Sequence, residues 1–246
     1  MDDLPGKTSF GTTRWTVVLQ AKGDDSTPSP NNKVAHERRE ALGKLIEIYW
    51  KPLYFYLRRK GHANSDAEDL AQAFFTAFLE KDFLKSVDRE RGRFRSFILV
   101  AMDHFLANEY DKARAQKRGG GHKILSLDFA DAEKRYAAEP STTETPERLY
   151  MRKWSRTLTD QAMVALEDEF KAKDKGALFT AIKPHLGGGE DYAKVSEELG
   201  LTVANLKVIV HRARARYREV LREYVRDTVA TDSEVDAELW ELIRSL

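Results

Sequence analysis

Apolar side chains recur at intervals of three and four along most of this chain. That is the period of an amphipathic helix, and no stretch alternates long enough to build a sheet. Leu42, Leu45, Ile46, Tyr49 and Trp50, followed by Leu53, Tyr54, Tyr56 and Leu57, predict a helix that Pro52 kinks or restarts. A second helix is signalled at Ser65-Asp66-Ala67-Glu68, where Ser65 can cap and Glu68 can reach back. It runs on through Leu70, Phe74, Phe75, Phe78 and Leu79. A third begins near Phe94 and carries Phe97, Ile98, Ala101, Met102, Phe105 and Leu106 on one side, so that the three make a small bundle. The pattern resumes at Thr145-Pro146-Glu147, a cap with proline in the first turn. One helix there is expected to bury Leu149, Trp154, Leu158, Met163, Leu166 and Phe170, and the next Ala177, Leu178, Phe179 and Ile182.

Polar stretches divide these segments. Gly23 to Asn32, rich in Pro, Ser and Asn, sets off an N-terminal extension over 1–33. A first helical domain is expected over 34–118, a linker over 119–145 opening with Gly119-Gly120-Gly121, and a second helical domain over 146–228. An acidic C-terminal extension, 229–246, follows, with Val235, Leu239, Trp240, Leu242 and Ile243 set among Asp232, Glu234, Asp236, Glu238 and Glu241. The expected fold is all-α: two small helical domains joined by a flexible linker. An amphipathic tail helix that docks back on the protein or receives a regulator is a further expectation.

The segment Asp191 to Arg226 reads as a helix-turn-helix. Val195, Leu199, Leu201, Leu206 and Ile209 fall where two steeply crossing helices bury them, Gly200 sits where the turn wants positive φ, and Thr202 can cap the second helix. From Thr202 to Arg218 the chain carries Lys207, Arg212, Arg214, Arg216 and Arg218 with no acid, a surface suited to phosphates. A second basic run, Lys112, Arg114, Lys117, Arg118 and Lys123, follows the aromatics Phe94 and Tyr110. Before it, Asp88 to Arg93 reads as a flexible loop whose Arg91 and Arg93 suit an extruded base. The net charge of the 246 residues is only +1, so any affinity for a polyanion has to come from this segregation.

Other chemistry is hard to place. With no cysteine there is no disulfide, thiolate metal site or thiol nucleophile. The six histidines lack metal-ligand spacing, and the triple glycines at Gly119 and Gly187 lack the strand and Lys-Ser/Thr of a phosphate loop. No apolar run approaches the ~20 residues of a membrane span, and the N-terminus lacks a signal peptide's regions. No cofactor, metal or catalytic residue is expected, and the protein is expected in the cytoplasm, away from membranes.

Two motifs in order resemble a known family. D-A-E-D-L-A-Q-A-F-F-T-A-F-L at Asp66 to Leu79 is similar to the polymerase-binding helix of bacterial RNA polymerase sigma factors of the extracytoplasmic-function type, usually D-A-E-D-L-V-Q-E-V-F. Y-A-K-V-S-E-E-L-G-L-T-V-A-N-L-K-V-I-V-H-R-A-R at Tyr192 to Arg214 resembles the same family's minus-thirty-five reader. The resemblance extends from near Leu42 to Lys117 and from Pro146 to Val225. It implies that Asp69, Leu70, Gln72 and Phe75 contact core RNA polymerase, and that the region from Arg89 to Arg118, with Arg91, Arg93, Arg114 and Lys117, meets promoter DNA opened near the minus-ten element. Thr202, Asn205, Lys207, His211, Arg212 and Arg214 would then contact the minus-thirty-five duplex. An anti-sigma factor or other regulatory protein is a further partner the family implies. Ala73 stands where the family has Glu, and Ala204 to Ile209 departs from its G-T-V-K-S-R. Two other classes stay open: a helix-turn-helix regulator that binds operator DNA without polymerase, and a nucleic-acid enzyme, which would need an acid cluster or activated nucleophile not found here.

Overall fold

The computed structural model describes residues 32–80, 93–115, 127–140, 143–188, 191–229 and 231–246. Among them every regular element is helical. In chain order these are α1 (Asn32–Arg59), α2 (Asn64–Glu80), α3 (Phe94–Ala115), α4 (Phe129–Ala137), α5 (Pro146–Lys171), α6 (Gly176–Leu186), α7 (Tyr192–Glu198), α8 (Val203–Arg226), a 3-10 turn at Asp232–Glu234 and α9 (Val235–Arg244). The chain divides into two compact units, Met1–Trp154 with Arg226–Leu246, and Ser155–Val225.

The first unit is an aromatic core. Tyr49, Tyr54, Tyr56, Phe74, Phe75, Phe78 and Phe94 are all buried. They meet largely edge to face, as Tyr49 with Phe94 at 5.3 Å and Phe74 with Phe105 at 5.7 Å, the arrangement that ring quadrupoles favour. The expected bundle of α1, α2 and α3 is therefore present. Helix α1 continues through Pro52, a single helix where a restart was one expectation. Phe94, one of the two aromatics ahead of the second basic run, is 1% exposed and belongs to this core. Tyr110 stays 60% exposed, its ring stacked 6.4 Å from His62.

Two segments assigned elsewhere join the first unit. Within the expected linker, Asp128 caps α4 by accepting from the Asp131 amide at 3.0 Å. That helix lies on α1: Phe129 meets Trp50 at 5.3 Å, and Glu133 accepts from Nε and Nη2 of Arg58 at 2.9 and 2.8 Å. Glu133 also accepts from the Tyr54 hydroxyl at 2.6 Å. Burial works against the Glu133 charge, yet Arg58 and Tyr54 hold its carboxyl below the ordinary range. The start of α5, capped by Thr145 accepting from the Arg148 amide at 3.3 Å, also belongs here, with Leu149, Tyr150 and Trp154 fully buried.

The C-terminal tail does dock back. Val235, Glu238 and Leu242, one stripe of α9, are each 0% exposed. Glu238 reaches Arg95 of α3 through both carboxylate oxygens, at 2.5 and 2.9 Å, and takes Arg93 at 2.9 Å. Arg95 also lies over the Trp154 ring at 5.2 Å, and its carbonyl accepts from the Tyr150 hydroxyl at 3.0 Å. A carboxylate with no solvent exposure needs this degree of compensation.

The second unit closes around Ile182, Leu206, Val210 and Ala213, with Phe170, Leu178, Leu186, Tyr192, Val195, Leu199 and Ile209 packed against them. Its core thus takes side chains from α5, α6, α7 and α8.

Candidate nucleic-acid interface

Helices α7 and α8 are joined by a four-residue turn, Leu199 to Thr202, whose geometry follows from three residues. Gly200 has φ +62°, a conformation that costs any residue with a Cβ. The Leu201 amide returns to the Ser196 carbonyl at 2.9 Å and closes the end of α7. Thr202 then starts α8, its Oγ1 accepting from the Asn205 amide at 3.2 Å and its carbonyl from the Leu206 amide at 3.0 Å. Leu206 and Val210, one helical turn apart, face the core, and this fixes the orientation of everything else on α8.

The opposite face is solvent-exposed: Val203, Ala204, Asn205, Lys207, Val208, His211 and Arg212. Lys207 has its ammonium 5.7 Å from the Tyr192 ring centre, and Tyr192 in turn stacks on His185 at 4.9 Å. Among the described residues neither Lys207 nor Arg212 forms an ion pair with a carboxylate. No acid lies between Glu198 and Glu219. This face therefore carries a positive charge that no carboxylate among the described residues offsets.

The arginine ladder as a whole does not. Arg214 donates to the His185 carbonyl at 2.6 Å, satisfying the exposed C-terminal end of α6, where a cation also suits the helix dipole. Arg216 pairs with Glu169 at 2.7 Å and with Glu219 and Glu223 at 3.0 and 3.3 Å. Those partners hold its guanidinium protonation well above the ordinary range. Arg214, expected on the phosphate-facing surface, is thus turned to the fold's own carbonyl; a neighbour from another helix claimed it.

The remaining expected residues scatter. On α2, Asp69 is exposed and Leu70 half-buried, whereas Gln72 and Phe75 are 7% and 1% exposed within the unit's core. Helical geometry decides this, since Ala71, Phe74, Phe75 and Phe78 take the inward stripe and carry Gln72 with them. Arg93, a third exposed, pairs with Glu238 at 2.9 Å and so has a partner within its own unit. Arg91 and Lys117 lie outside the described residues, as does the side chain of Arg114 on α3. Among the described residues, no group of three or more His, Asp or Glu is placed to hold a metal ion. None of their helices is long and apolar enough to cross a membrane.

Comparison with known proteins adds no relative: no family model matches the chain, and neither a curated protein nor a solved structure matches it.

Proposed function

We propose that this chain is a transcription-initiation subunit of the extracytoplasmic-function sigma type, acting in the cytoplasm, in which α7 and α8 form a helix-turn-helix that reads duplex promoter DNA. The outer face of α8 carries the reading. Asn205, Lys207, His211 and Arg212 stand exposed near the start of a helix whose first turn holds no acid, on a core that leaves that start free to enter a major groove. Neutralising phosphates with Lys207 and Arg212 releases counterions, so affinity should fall steeply with salt. In the first unit, Asp69 and Leu70 make the mixed polar and apolar surface on which a helix of core RNA polymerase registers. Promoter DNA opened near the minus-ten element falls to Arg91, Arg114 and Lys117, and an anti-sigma factor is the natural regulator. The subunit performs no bond chemistry of its own.

The burial of Gln72 and Phe75 favours a second reading, a duplex-binding regulator independent of polymerase, because two of the four implied polymerase contacts are spent on the core. Run-off transcription with purified core polymerase and a promoter library separates the two. Chain-dependent initiation, reduced by Asp69→Arg while duplex binding persists, is the expected result. Duplex binding without any initiation would leave the regulator.

A further inference from the structure

Helix α8 exposes two valines that lie off its core stripe. Val203 is 40% and Val208 50% exposed, while the core stripe of the same helix is already filled by Leu206, Val210 and Ala213. A β-branched side chain lowers helix propensity, and its apolar surface in water contributes nothing to folding. The positions are specific. Val203 and Val208 flank Lys207 on the outer face, Ala204 lies one turn before Val208, and His211 and Arg212 lie one turn after it. Val203 and Val208, about 140° apart round the helix, thus stand on either side of Lys207, with apolar and cationic side chains interleaved over the first turns.

We propose that Val203 and Val208 are the specificity residues of α8 and read thymine 5-methyl groups, so that the bound duplex carries thymines beneath the first two turns of this helix. The inference rests on the reading of α8 as a DNA-binding helix and names what it recognises. The cations call for a polyanion, and apolar side chains set among them call for apolar groups displayed between phosphates. In B-form DNA the thymine methyl is the group in the major groove that answers this description. RNA does not, because uracil lacks the methyl and the A-form major groove is too deep and narrow for a helix. Asn205 is exposed on the same turns and presents the paired donor and acceptor that suit adenine.

The test uses the full chain, alone and with core RNA polymerase, on a pool of duplexes randomised across one major-groove face. The tightest sequence is resynthesised with deoxyuridine replacing thymidine one position at a time, which removes a methyl and nothing else. Each thymine under one of these valines should lose about four-fold in affinity, the equivalent of ~0.8 kcal/mol for one buried methyl. Val203→Ala and Val208→Ala should each weaken the thymine duplex by a similar factor and abolish the deoxyuridine effect at one position. Both valines are exposed, so the variants should melt with the parent, and circular dichroism checks this. Equal affinity for thymidine and deoxyuridine duplexes overturns the inference and leaves the duplex-binding reading intact. So does unchanged discrimination in both alanine variants, or a selected site without thymine. Absence of duplex binding in either format overturns both.

Discussion

At the start of α3, Arg93 and Arg95 meet a carboxylate that arrives from 143 residues downstream of Arg95, whereas at the start of α8 Lys207 and Arg212 face solvent. Both segments are runs of cations beside apolar side chains, and in sequence they look alike. What separates them is the supply of acid in space. Helix α9 brings Glu238 into the first unit's core, so the cations there become structural; the second unit brings Glu169 to Arg216 and, among the described residues, no carboxylate to Arg212. A run of arginines is a binding surface only where the fold leaves it unanswered.

Removing the answering group is the strongest way to break this contrast. Glu238→Ala should destabilise the chain by about 3–5 kcal/mol in urea unfolding, because Arg95 is left buried and charged without a partner. Glu238→Gln, which keeps the shape, should cost less. A loss below about 1 kcal/mol for the alanine variant would mean that α9 is a passive cover and not a lock.

The same contrast exists within α8 itself. Arg214→Ala should cost about 1–3 kcal/mol, since it leaves the end of α6 without its charged donor. The Gly188 amide also reaches that carbonyl, at 3.2 Å, which places the expected loss toward the lower end. Were the variant as stable as its parent yet weakened for DNA, Arg214 would belong to the interface after all.

Most of the helices were legible in the apolar spacing, because a stripe at three- and four-residue intervals has one way to be buried: α2 and α3, the turn at Gly200 and the cap at Thr202 all lie where the pattern put them. Helix α4 was not, although Phe129, Ala132 and Tyr136 stand at helical spacing: it has nine residues, and its ring contacts with Trp50, Tyr54 and Phe55 and its ion pairs with Lys51 and Arg58 all depend on α1. So short a stripe within a polar segment reads as linker. The fates of Arg93 and Arg214 were hidden for a different reason. Each is decided by a group far away in sequence, Glu238 and the His185 carbonyl, and no local pattern encodes such a meeting. Val203 and Val208 were visible in the chain, but only the placement of Leu206 and Val210 in the core shows them to lie off the buried stripe.

The turn that aims α8 offers a smaller perturbation. A Cβ at Gly200 would meet nothing within 4 Å, so Gly200→Ala isolates the conformational cost of φ +62°. That cost is about 1 kcal/mol, with Gly200→Asn nearer the parent. A larger loss in thermal unfolding would point to a change in the crossing of α7 and α8 and should then appear in duplex affinity as well.

The smallest effect on stability is the most informative about binding. Arg212→Ala removes an exposed side chain that answers no carboxylate among the described residues, so stability should change by no more than about 0.5 kcal/mol. If α8 faces phosphates, the same substitution should weaken duplex binding on every sequence alike and reduce the slope of log affinity against log salt by about 1. Arg216→Ala supplies the counterpart: its guanidinium is shared among Glu169, Glu219 and Glu223, so the salt slope should barely move while stability falls slightly. Two arginines four residues apart on one helix would then be told apart by salt alone. Equal salt slopes for the two variants would mean that the ion pairs of Arg216 open on DNA, and the division between answered and unanswered cations would not survive contact with a polyanion.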